Sequence, residues 1–193
     1  MTKILKQLLG TALAVCLFAT LAVAEDRYEN IHIANGLATA DVGDWVLFKL
    51  PDGKTQKHTV IEKNGTGKEA TAVVQIVDFQ GTVPTFSRKV TSPAGEEFMQ
   101  PPMPEGKKYT FERSKETIDF DDSEVEVTIV DVFDKDKKVR SWYLSTDIPV
   151  YGTMKRVDAN GNPEFSLVTS GTAVDAKDAK TDPYVFPAAK KTN

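Results

Sequence analysis

"GDWVLFKLPDGKTQKHTVIEKNGTGKEATAVVQIVDF", residues 43–79, holds three extended runs separated by two turn signals. In the first run Val46, Phe48 and Leu50 alternate with Trp45, Leu47 and Lys49. A period of two is the period of a strand, because successive side chains point to opposite faces. Pro51-Asp52-Gly53-Lys54 then turns the chain. Proline presets one backbone angle and glycine accepts a positive one. The second run is 54–63, and Asn64-Gly65 after it suits a two-residue hairpin. The third run, 69–79, sets Ala70, Ala72, Val74 and Ile76 on one face. The three runs predict an antiparallel meander.

The same logic extends to most of the chain. "EVEVTIVDVF" (124–133) alternates Val125, Val127 and Ile129 with Glu124, Glu126 and Thr128, the pattern of a half-buried strand. Asp134 to Lys137 forms a turn, 138–144 runs back, and 158–163 ("DANGNP") makes another turn before "EFSLVTSG". No run after the first 24 residues carries a helical apolar period. The sequence therefore predicts an all-β domain over 25–171: a single antiparallel sheet of about eight to ten strands, curved into a half-barrel or barrel, with a β-sandwich as the alternative. Residues 80–106 hold five of the ten prolines. They predict a long excursion loop, in which Phe86, Arg88 and Val90 make at most a short edge strand. Residues 172–193 read as a flexible tail, on which Tyr184-Val185-Phe186 is the one segment suited to docking.

The first 24 residues read as a secretory signal peptide. Lys3 and Lys6 precede an apolar run from Leu8 to Val23, and Ala22-Val23-Ala24 fits the cleavage pattern. A retained anchor is the other reading, and acylation of Cys16 a third that the larger Val15 disfavours. Removal of this leader predicts an exported, periplasmic or secreted protein with no transmembrane span. Cys16 is the only cysteine, so residues 25–193 have neither disulfides nor thiol chemistry. The leader takes away two lysines, which leaves 22 basic against 28 acidic residues. That sign argues against nucleic acid or an anionic membrane surface as partner.

No catalytic motif stands out. His32 and His58 have no histidine at metal spacing, and Ser170-Gly171 lacks a nucleophile elbow. The acidic segments 119–124 and 158–163 fail the calcium-loop pattern at its glycine and glutamate positions. Asn64-Gly65-Thr66 is a glycosylation sequon but explains itself as a turn. The sequence thus predicts no enzyme, no metal site and no cofactor. A hydrolase assembled only by the fold is the remaining enzymatic alternative.

Two stretches carry a resemblance. "VGDWVLFKL" (42–50) resembles the opening strand of a loose set of uncharacterised exported bacterial β-proteins, planctomycete ones among them. "WYLSTDIPVYGTMKRVDANGNPEFSLVTSG" (142–171) is similar to their closing stretch, with Trp142, Pro149, Gly152 and Gly171 at the matching positions. The general look is similar to envelope β-proteins of the lipoprotein-carrier type, in which a curved sheet holds an acyl chain. This chain lacks the amphipathic helices that plug the concave side of those carriers. The aromatic density and the long apolar loop point to a non-catalytic exported binding module for a lipid, peptide or other apolar ligand. The candidate contacts are Trp142 and Tyr143 on the aromatic strand and Phe98, Met99 and Met103 on the proline-rich loop. A structural or protein-interaction module of the envelope is the alternative.

Overall fold

The computed structural model describes residues 27–101, 103, 106–120, 123–173 and 182–187. The leader at 1–24 and the rest of the tail lie outside these residues. In chain order the elements are β1 (Ile33–Ala34), a one-turn helix α1 (Gly36–Thr39), β2 (Trp45–Lys49), β3 (Thr55–Asn64), β4 (Thr71–Gln80), β5 (Val83–Pro93), β6 (Phe98–Met99), β7 (Thr110–Phe120), β8 (Ser123–Asp134), β9 (Lys137–Leu144), β10 (Thr153–Asp158) and β11 (Pro163–Gly171). Nine strands form one antiparallel sheet in the order β5-β4-β3-β2-β11-β10-β9-β8-β7. The outer strands β5 and β7 do not pair with each other, so the sheet is open and not a closed barrel. Strands β1 and β6 make a separate two-stranded ribbon.

The first meander forms as its alternation predicts. Directly opposite residues share a face. Val46, His58, Ile76 and Arg88 therefore line up across β2 to β5 on one face, as do Phe48, Gln56, Asp78 and Phe86. Val46, Phe48, Val60, Ala72, Val74 and Ile76 join the larger core cluster on this inner face. Each such aliphatic or phenyl side chain contributes about 1.5–3 kcal/mol on burial. Ala70, grouped with Ala72 by the sequence, precedes the strand and stays outside the cluster.

Two local expectations are corrected. Asn64-Gly65 does not close a two-residue hairpin. A 3-10 turn at Gly67–Glu69 intervenes before β4 starts at Thr71. The stretch 80–106 is not one long loop, since β5 alone takes eleven of its residues. Its prolines misled the reading. Pro84 and Pro93 sit at the ends of an edge strand, where a missing N–H needs no ladder partner. Nearly all of β5 is exposed, and its prolines with Arg88 and Lys89 guard the edge against further pairing.

The other face of the first meander is covered as well. Trp45, Leu47, Lys57, Val77 and Phe79 are buried there. Phe186 packs edge-to-face on Phe79, with ring centres 5.3 Å apart. The Lys57 ammonium donates to the carbonyls of Asp182 (2.6 Å) and Val185 (3.0 Å) and lies 5.1 Å from the Trp45 ring. The expected flexible tail is thus docked over 182–187.

Candidate ligand-binding pocket

The N-terminal segment crosses the inner face of the sheet. Tyr28 bridges to Phe111 of β7, and Ile31 and Ile33 pack with Phe111, Val130, Val132 and Trp142. Asn35 then caps α1 by accepting from the Leu37 N–H, while its amide donates to the carbonyls of Pro93, the last residue of β5, and Glu96 just beyond it. The chain so runs from one edge of the sheet to the other. The β1–β6 ribbon and α1 form a roof over this face.

Under this roof lies a pocket of about 410 Å³, lined by residues of the roof and by Phe48, Gln56, His58, Ser92, Trp142, Tyr151, Thr153 and Phe165. Ser92 belongs to β5 and Trp142 to β9, six strand spacings apart in the sheet. Laid flat, that is roughly 29 Å. One small pocket reaches both strands because the sheet curls. Its volume falls in the range of small-molecule sites, about 300–1,000 Å³.

The wall is a chain of edge-to-face rings. Trp142 meets Phe165 at 6.4 Å, Phe165 meets Phe48 at 5.0 Å, Phe48 meets His58 at 5.4 Å, and His58 meets Tyr151 at 5.5 Å. These rings come from β9, β11, β2, β3 and the corner between β9 and β10. The register explains their gathering, since Leu167 of β11 lies opposite Phe48, and Arg156 of β10 lies opposite both Phe165 and Trp142. Arg156 lies between the two rings, 5.1 Å from the Trp142 ring and 4.9 Å from Phe165. Glu164 pairs with Arg156 and, at 3.0 Å, with Arg140.

Of the polar groups at the pocket, His58, Gln56 and Tyr151 form one hydrogen-bonded relay. His58 Nδ1 lies 3.2 Å from the Tyr151 hydroxyl, and Nε2 lies 3.2 Å from Gln56 Oε1. The Gln56 amide donates to Asp78 at 3.0 Å. Burial, helped by the nearby Arg88 charge, pulls His58 down to about 3, so the imidazole is neutral at ordinary pH. Burial pushes the Tyr151 phenol far up, so it keeps its proton.

Tyr151 is held by a strained corner. Its N–H donates to the Pro149 carbonyl at 2.9 Å across Val150, whose φ is +70°. This is the rare form of the γ-turn, and a β-branched residue there costs on the order of 1–3 kcal/mol. Val150 is fully buried in the core cluster, which holds the turn in place. Gly36 packs against the same corner. A Cβ on it would stand 2.9 Å from the backbone of Val150, Tyr151 and Gly152.

The five sequence candidates separate. Trp142 and Met99 line the pocket. Tyr143 points to the opposite face of β9, where it packs on the core with the Lys155 ammonium 3.9 Å from its ring. Phe98, next to Met99 in the ribbon, faces a second, polar depression with Arg113, Lys115 and Glu126. Met103 lines a third with Lys107, Lys108 and Lys135. Sequence reasoning missed Phe48, Phe165, His58 and Tyr151. Phe48 and His58 were legible as strand-face residues, but nothing local tied them to Phe165. Among the described residues no group of three His, Cys, Asp or Glu side chains is arranged to hold a metal, and no helix is long and apolar enough to cross a membrane.

Comparison with protein-family models, with curated proteins and with solved structures returned no match.

Proposed function

We propose that this protein is a non-catalytic, exported binding protein of the bacterial envelope that holds one small apolar molecule beneath the β1–β6 roof. The observation that carries the reading is the ring wall from Trp142 to Tyr151, concave and mostly apolar, with a hydrogen-bonded relay at its end. The leader-like N-terminus supports export, and the resemblance in 42–50 and 142–171 supports the envelope setting. Against catalysis stands the chemistry of the pocket. Its histidine is neutral and engaged at both nitrogens, and among the described residues no carboxylate or cation lines the wall beside it.

The test is binding of the apolar fluorophore N-phenyl-1-naphthylamine to the purified protein. Saturable one-to-one binding is expected, with loss in Met99→Trp, which fills the pocket. A protein that neither binds the fluorophore nor carries a co-purified lipid by native mass spectrometry overturns the reading.

A further inference from the structure

The hydrogen bonds behind the pocket wall run in one direction. Asp78, 3.7 Å from Arg88, can as a carboxylate only accept. The Gln56 atom facing it must therefore be the amide nitrogen, which turns Oε1 toward His58. His58 donates to that oxygen from Nε2. A neutral imidazole has a single proton, so Nδ1 is an acceptor. The Tyr151 hydroxyl consequently donates to Nδ1. Reversing any one link would set two acceptors against each other at Asp78.

The hydroxyl of Tyr151 thus has its proton committed and its lone pairs left over. What this side chain offers an occupant is an acceptor. The one donor remaining in the relay is the second amide hydrogen of Gln56. Among the described residues no Lys or Arg lines the pocket, and Arg88 is turned to Asp78. An ionised carboxylate would enter without a counter-charge and meet an oxygen lone pair, whereas a hydroxyl can donate to it.

Resting on the reading of the pocket as a small-molecule site, we infer that its ligand is a neutral apolar molecule with an alcohol-type group that donates to the Tyr151 oxygen, and not a fatty-acid anion. The experiment displaces bound N-phenyl-1-naphthylamine from the full chain with 1-decanol, decyl methyl ether or decanoate. Decanol should displace it at about five- to tenfold lower concentration than the ether, which lacks the donor, and decanoate should be weakest. Tyr151→Phe keeps the ring and should erase the advantage of decanol. Asp78→Asn frees the relay to reverse, so it should shrink the alcohol-to-ether ratio. Fluorophore binding with decanoate equal to decanol overturns this inference alone, as does an alcohol-to-ether ratio unmoved by Tyr151→Phe. Absence of both fluorophore binding and a co-purified lipid overturns the pocket reading and this inference with it, whereas a co-purified fatty acid overturns this inference alone.

Discussion

Trp142 and Tyr143 are adjacent in sequence and stand on opposite faces of the sheet, each beneath its own cation from β10. Arg156 lies over the indole and Lys155 over the phenol ring. Both pairs follow from one register, in which Arg156 faces Trp142 and Lys155 faces Tyr143. Only the Trp142 side opens on the pocket.

That split makes the two tryptophans separate reporters. Trp45 is buried on the outer face beside Lys57, away from the pocket. Binding of an apolar ligand should change Trp142 emission and leave Trp45 unaffected. Trp142→Phe should abolish the spectral response, whereas Trp45→Phe should preserve it. Fluorescence titration of the two variants is the check.

His58 sets an acid limit. Its folded pKa of about 3 lies below the ordinary 6.5, so the unfolded chain binds more protons between those values. Stability contributed by keeping His58 neutral is full above pH 6.5 and falls as the pH drops toward 3, by on the order of a few kcal/mol. His58→Phe should flatten that limb of the stability curve relative to wild type. Urea melts between pH 7 and pH 3.5 measure the difference.

Lys57 acts in the alkaline range. Burial pulls its ammonium from 10.5 down to about 8, with nearby Asp182 opposing the shift. The folded state thus binds fewer protons than the unfolded one between about 8 and 10.5. Below pH 8 the penalty of holding the charge is fully present, and it is relieved as the pH rises through that window. Lys57→Met should remove this rise, seen as a smaller stability gain from pH 7.5 to pH 10 than in wild type.

The tail should contribute measurably to the same face. Phe186→Ala removes the ring that packs on Phe79. Phe186 is only partly buried, so a loss of roughly 1–3 kcal/mol is expected, below the range for a fully buried phenylalanine. Chemical denaturation should show a lower midpoint with little change in slope.

Gly36 tests the strained corner. Gly36→Ala forces a Cβ against the backbone of Val150 to Gly152. A destabilisation of about 1–3 kcal/mol is expected, together with weaker ligand binding because Tyr151 is displaced. Thermal melts and fluorophore titration on the same sample check both effects. Unchanged affinity would show that the corner does not position Tyr151.

The period-two runs made the first meander and β8 readable, because their alternating or apolar residues mark a strand locally, although the burial of both faces, as in β2, was not legible there. The corner after Leu144 was readable from Pro149 and Gly152. What was illegible depends on residues distant in sequence. β5 hid behind prolines whose harmlessness depends on lying at an edge. The pocket gathers Phe48, Trp142 and Phe165 only because β2 pairs with β11, and no local pattern encodes that pairing. Phe98 and Met103 drew attention as apolar residues on a proline-rich stretch, yet the ribbon and the turn before β7 carry them to separate polar depressions.

The pairing of Trp45 with Gly171 also dictates an order of events. The two meanders are local and can form early, each from its own hairpins. The seam between them joins opposite ends of the domain and has to wait for the last strand. Until residues 163–171 are available, β2 stands as a raw edge with its apolar residues bare, the kind of species that aggregates. A chain arrested before β11 is therefore a sticky half-product, and refolding should be limited by the closing of this one seam.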